Sequence, residues 1–135
     1  MPKIHLNIVN NQMLTSVFVF KPSSADRQNP VRATALFDTG ATGSCVTSRL
    51  VQELGLIPVS KSSVITANGI RACNNYKLKI GFPFPTPNNS YRVETPSEII
   101  VSEIDDNENW QMIVGMDIIQ QGVLVVDSGN YIFSL

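Results

Sequence analysis

Short alternations of apolar and polar residues dominate the chain. Ile4, Leu6 and Ile8 are separated by polar neighbours, the period of a half-buried strand. Asn10-Asn11 is a turn candidate, and a second strand covers Val17 to Phe20, reaching back toward Met13. Lys21 to Pro30 carries Pro22, Ser23, Ser24 and Pro30 and reads as a polar surface loop. Val31 to Phe37 is the next strand. A short helix is expected over Ser48 to Leu54, because Leu50, Val51 and Leu54 share one face. Ser48 is the expected N-cap and Gly55 the expected stop, and Pro58 forbids continuation.

The second half repeats the style. Val64 to Ile70 is a hairpin signal, with Asn68-Gly69 suited to a two-residue turn of positive φ at both positions. Tyr76 to Ile80 is a strand, and Pro83 to Ser90, rich in Pro and Asn, reads as a loop. Glu98 to Ile104 has a buried Ile-Ile-Val centre. Asp105 to Asn109 reads as a solvated acidic turn rather than a metal site. Met112 to Gly115 is a buried strand ending in glycine, and Asp117 to Gln121 a short helix stopped by Gly122. Val123 to Val126 and Tyr131 to Leu135 form a closing hairpin. The expectation is an all-β fold with one or two short helices, in a single domain over residues 1–135.

Composition narrows the function. Hydrophobic residues make up 43% and charged residues 16%, enough apolar surface for a packed core. A formal net charge of -1 offers no basic surplus for nucleic acid or an anionic membrane. No apolar stretch is long enough to span a bilayer, and the first residues already alternate, without the core of a signal peptide. The expected compartment is cytoplasmic. Cys45 and Cys73 lack metal-ligand spacing and read as reduced side chains. His5 is the only histidine, so a zinc site or a histidine-dependent nucleophile is poorly supported. No cofactor or metal is expected.

The run Ala35-Leu36-Phe37-Asp38-Thr39-Gly40-Ala41-Thr42-Gly43-Ser44 carries the chemistry. An apolar strand delivers a carboxylate, and a buried carboxylate is costly unless hydrogen-bonded or put to use. Gly40 permits a tight turn, and Thr39 supplies a hydroxyl able to bond across to a neighbouring strand or subunit. A bare Asp-Thr-Gly arises by chance in about one chain of this size in thirty, so its context matters. Two such loops facing each other would hold two carboxylates around one water. Like charges that close share a proton, leaving one Asp as general base and the other as acid.

The sequence resembles the retropepsin-like aspartic proteases. Leu36 to Ser44 is similar to their catalytic loop, and Ser48 to Leu56 to the helix that many cellular and bacterial members carry after it. Ile65 to Ile70 falls where the family has its substrate-covering flap. Ile113-Val114-Gly115-Met116-Asp117-Ile118-Ile119 is similar to the second signature, two apolar residues and a glycine entering a short helix. The resemblance implies a closed β fold of the acid-protease type, working as a homodimer on an extended peptide or protein substrate. It implies Asp38 as catalytic residue, Thr39 and Gly40 as its support, and Ala41, Ala67, Asn68 and Gly69 as substrate-binding positions. The terminal strands, Lys3 to Val9 and Tyr131 to Leu135, are the expected interface. The flap tip has one glycine rather than a glycine-rich run, Cys45 stands where a bulky apolar residue is common, and the segment before residue 31 has no clear family counterpart.

Val125-Val126-Asp127-Ser128-Gly129 repeats the pattern and raises a one-chain active site. Too little sequence follows for a second flap and signature, so Asp127 is read as part of a turn. Asp117 is read as a helix-start residue at the N-terminal dipole, not as a catalyst. Two readings compete with the peptidase: a catalytically inactive dimerisation or peptide-binding module with the same fold, and an unrelated small β protein with a chance Asp-Thr-Gly. The second leaves the ordered set of elements unexplained.

Overall fold

The structure, a computed structural model, describes residues 2–22, 30–88, 91–94 and 97–135. Among the described residues eleven strands and two helices follow one another: β1 (Lys3–Asn7), β2 (Leu14–Phe20), β3 (Val31–Phe37), β4 (Cys45–Thr47), α1 (Ser48–Leu54), β5 (Ser60–Thr66), β6 (Gly69–Pro85), β7 (Tyr91–Glu94), β8 (Ile99–Ile104), β9 (Met112–Val114), α2 (Met116–Ile119), β10 (Val123–Asp127) and β11 (Asn130–Ser134). The main sheet runs β2-β3-β9-β4-β8-β6-β5, with β7 on β6, and a further β2–β6 pairing closes it on itself. Closure removes two of the open edges that a flat sheet would present. A second sheet, β1-β11-β10, packs beside it.

Alternation decides which side chains are buried. Val17 and Val19 of β2, Ala33, Ala35 and Phe37 of β3, and Leu78, Ile80, Phe82 and Phe84 of β6 all point inward. An aromatic cluster joins the two sheets. Phe37 stacks 6.2 Å from Phe82 and meets Tyr131 at 5.6 Å and Phe133 at 4.9 Å. Such ring pairs add about 0.5–1.5 kcal/mol each beyond their buried area. The Tyr131 hydroxyl donates to the Leu14 carbonyl, and burial pushes its phenol well above the ordinary value.

Several expectations are met, and others are corrected. β3 and α1 have the predicted bounds, and Gly55 ends α1 in the left-handed region at φ 63°. The N-cap is Thr47, whose hydroxyl accepts the Leu50 N–H at 3.4 Å, because the Ser48 hydroxyl turns outward to donate to Glu103. The predicted positive-φ pair at Asn68-Gly69 is not formed. The turn falls on Ala67-Asn68, with Thr66 opposite Gly69, and only Gly69 is positive at φ 111°. Doubly positive turns occur instead at Asn10-Asn11 (φ 52° and 61°) and at Ser128-Gly129 (φ 49° and 85°). Pro83 is not in a loop. β6 continues to Pro85, because Phe82 and Phe84 alternate into the core on either side of it. Residues 23–29 and 89–90 of the two predicted loops lie outside the described residues.

Candidate active site

β3 ends on Phe37, which is 3% exposed and pins the approach from inside the core, and Asp38 follows at once. The Phe37 N–H donates to the Met13 carbonyl at 2.9 Å and the Asp38 N–H to the Val114 carbonyl at 3.0 Å. The half-buried carboxylate then folds back on its own turn. Its Oδ1 accepts the Gly40 N–H at 2.9 Å, while the Asp38 carbonyl accepts the Ala41 N–H at 3.1 Å. A Cβ at Gly40 would lie only 3.3 Å from that Oδ1, so the turn is built close around the carboxylate. Thr39 and Gly40 are exposed and Ala41 half-buried, leaving this face open to a ligand or a second chain.

The second signature clamps the loop from behind. The Ala41 carbonyl accepts the Met116 N–H at 2.8 Å. The Ser44 hydroxyl, on a residue 2% exposed, accepts the Gly115 N–H at 3.0 Å and donates to Asp117 Oδ1 at 2.7 Å. Asp117 Oδ2 takes the Ser44 N–H at 3.0 Å, and Oδ1 also takes the Ile118 N–H at 2.9 Å. Asp117 therefore does stand at the start of α2, but its carboxylate also braces the Asp38 loop, which sequence reading missed. The only local hint was a serine after Gly43 and an acid two residues after Gly115. Gly115 is required by space. A Cβ there would sit 2.8 Å from the Ala41 carbonyl oxygen and from the Gly43 carbonyl.

The β5–β6 hairpin carries the remaining candidates, Ala67, Asn68 and Gly69, at its exposed tip. Beside them, Ile65 and Ile70 face each other across the hairpin and are 86% and 77% exposed. Cys45 follows the Asp38 loop. Burial pushes its thiol up, and Asp117, Cys73 and Asp38 add to that through charge. Both cysteines are free thiols. His5 is exposed on β1, and among the described residues no group of His, Cys, Asp or Glu could hold a metal. Asp127 is exposed beside the turn of the closing hairpin, opposite Asn130. A separate groove of about 740 Å³ lies against β1 and the outer face of β2 and β3, lined by Leu6, Phe18 and Arg32 among others, and includes no residue of the Asp38 loop or the hairpin tip.

A closed β fold with a carboxylate at a strand end, gripped by a glycine-turned second loop, is the retropepsin-like architecture. The crystal structure of a retropepsin-like aspartic protease from Rickettsia conorii superposes with a TM-score of 0.67, at 16% identity, over 97% of this chain and 89% of that one. The EIAV protease complexed with the inhibitor HBY-793 is matched at a TM-score of 0.47 and 18% identity, over 84% of this chain and 89% of that one. The simian foamy virus protease in solution is matched at 0.42 and 11%, over 78% and 92%. No curated protein matches the chain. The family model described as aspartyl protease matches residues 26–118, and the chain belongs to that family.

Proposed function

We propose that the protein is an aspartic endopeptidase whose active site is a pair of Asp38 carboxylates, one from each chain of a homodimer. The observation that carries this reading is the Asp38 loop. A half-buried carboxylate ends a core strand, its turn is closed by Gly40 and Ala41, and its backbone is fixed by Val114. These bonds hold the strand end and one carboxylate oxygen in a set place, as acid–base chemistry on a bound water requires.

Each chain supplies one Asp38. Brought together, the two carboxylates would share a proton and titrate as a pair. The ionised one takes a proton from the water as it attacks the peptide carbonyl carbon. The protonated one donates to the carbonyl oxygen. The resulting tetrahedral species collapses when a proton passes to the leaving amine. Thr39, exposed beside Asp38, is the residue we assign to bracing the two loops against each other. Gly40 would offer its carbonyl to an extended peptide and Ala41, whose own N–H and carbonyl are bonded within the chain, would line the cleft beside it, with Ala67, Asn68 and Gly69 covering the peptide from the hairpin. The exposed Ile65 and Ile70 suit an apolar substrate or the facing hairpin of the partner.

The sheet that holds the terminal strands is the surface we assign to the dimer. β1 and β11 pair with each other inside one chain, from Lys3 opposite Ser134 to Asn7 opposite Asn130. In the sheet β1-β11-β10 both outer strands, β1 and β10, keep an unpaired edge, and on β10 Val123, Val125 and Val126 are 48%, 43% and 59% exposed. An apolar strand with an unpaired edge is suited to pairing with its own copy across a two-fold axis. The deciding experiment is cleavage of a peptide library by the wild type and by Asp38→Asn at mildly acidic pH. Cleavage lost only in the variant supports the peptidase. Cleavage undiminished in the variant sinks it, and peptide binding without cleavage by either would assign the fold to a binding module.

A further inference from the structure

The β5–β6 hairpin leaves the closed sheet at a fork. Main-chain pairing between β6 and β8 ends at Asn75 opposite Ser102. Beyond that point β6 runs on toward the hairpin tip, while β8 runs on into the acidic loop that begins at Asp105. Two strands diverging from their last shared pair have no backbone bond to hold them. Here a side-chain pair spans the gap. Arg71 Nη1 donates to Asp105 Oδ2 at 2.8 Å and Nη2 to Oδ1 at 2.8 Å, a bidentate fork two residues from Gly69. Each group favours the other's charge. The guanidinium holds the Asp105 carboxyl below its usual range, and Asp105 raises Arg71.

The acidic loop is itself tied down on its far side. Asp106 Oδ1 accepts the Arg49 N–H at 2.9 Å at the start of α1. One residue ahead of the loop's first strand end, Glu103 takes the Ser48 hydroxyl with one oxygen and the Tyr76 hydroxyl with the other, both at 2.6 Å. A continuous chain of contacts thus runs from α1, through residues 103 to 106, to the hairpin arm. The helix is packed into the core through Leu50, Val51 and Leu54, so it is a fixed post.

We propose that Arg71 and Asp105 are positioning residues, a latch that holds the β5–β6 hairpin in place over the peptide cleft so that binding has less left to order. This rests on reading that hairpin as the substrate cover. An exposed ion pair is ordinarily worth little, but a planar fork with two short bonds fixes direction as well as distance. Neither residue touches the reacting atoms. Their effect passes through the hairpin, and a cover already in position lowers the entropy lost when peptide binds.

The test is a double-mutant cycle of Arg71→Ala and Asp105→Ala, read by amide hydrogen exchange over residues 60–75 in the free protein and by KM and kcat on a cleaved peptide. Each single variant should speed exchange of that segment about two- to fivefold and raise KM by a similar factor, with kcat nearly unchanged. The double variant should do no more than either single one. Exchange unchanged in the singles, or effects that simply add in the double, overturn the latch. The exchange measurement needs no turnover. A protein that cleaves nothing would refute the peptidase reading while the latch is still decided by exchange.

Discussion

Ser44 presents both its backbone N–H and its hydroxyl to the carboxylate of Asp117, at 3.0 and 2.7 Å, across 73 residues of sequence. The same hydroxyl accepts the Gly115 N–H, so one serine joins the loop after Asp38 to the start of α2. Asp117→Ala strips the acceptor from three donors. Hydrogen bonds to a charged group are worth about 1.5–3 kcal/mol each before relaxation, and an overall loss of about 2–3 kcal/mol is expected in urea unfolding. Asp117→Asn keeps one acceptor oxygen and should cost about half as much. In both, peptide cleavage should fall further than stability does, because the Asp38 loop loses its brace.

Gly115→Ala probes the same junction by volume. The added methyl would meet backbone at 2.8 Å on the Asp38 loop, where nothing flexible can turn aside. Overpacking of this kind costs about 1–3 kcal/mol. The expected result is a folded protein of lowered melting temperature with cleavage nearly abolished. Activity equal to wild type would mean the loop yields freely.

Asp38→Asn separates chemistry from architecture. Its Oδ1 still accepts the Gly40 N–H, the side-chain bond seen in the turn. Stability should therefore stay within about 0.5 kcal/mol of wild type while cleavage disappears. A large stability change would show that the carboxylate's charge, not its shape, holds the turn.

The open edge of β10 gives a prediction about assembly. Val125→Lys sets a charge on a strand that is 43% exposed at that residue and buries little in the single chain. Sedimentation should shift from dimer toward monomer, with unfolding of the monomer changed by less than about 0.5 kcal/mol. A dimer indifferent to this change would place the interface elsewhere.

The latch has a defined pH range. Asp105 faces Arg71, which also feels Cys73 and Glu103. With its folded pKa depressed, Asp105 contributes fully above the unfolded carboxylate value of about 3.9, and the contribution is lost as pH falls through the lower folded value. Exchange over residues 60–75, corrected for its intrinsic pH dependence, should hold steady from neutrality down to mildly acidic pH and rise only below about pH 4. Arg71→Ala should show no such rise.

Local signals explain what was legible in the sequence. The strand Val31–Phe37 and the helix Ser48–Leu54 are marked by their own periodicity and by Gly55. The Asp38 loop was legible because its motif is contiguous. The neighbouring hydroxyls Thr47 and Ser48 offered two caps, and only the distant Glu103 decides between them. Asn68-Gly69 has the composition of a doubly positive turn, yet strand register moved the turn one residue earlier. β4 is too short at three residues, and β7 at four, to show a period. The clasp of Ser44 on Asp117 and the fork of Arg71 on Asp105 join residues 73 and 34 positions apart, and no local pattern announces either.

The backbone clamp on Asp38 also imposes an order of events on the ribosome. Its N–H has to wait for the Val114 carbonyl, and the Phe37 ring for Tyr131 and Phe133. At elongation rates of roughly 5–20 residues per second, that is an interval of seconds during which the carboxylate has emerged and has no site around it. If the chain is the peptidase proposed above, a nascent copy in this state has no site with which to act on itself or on the polysome beside it, and completing β11 is a precondition for the pairing of two chains that would build one.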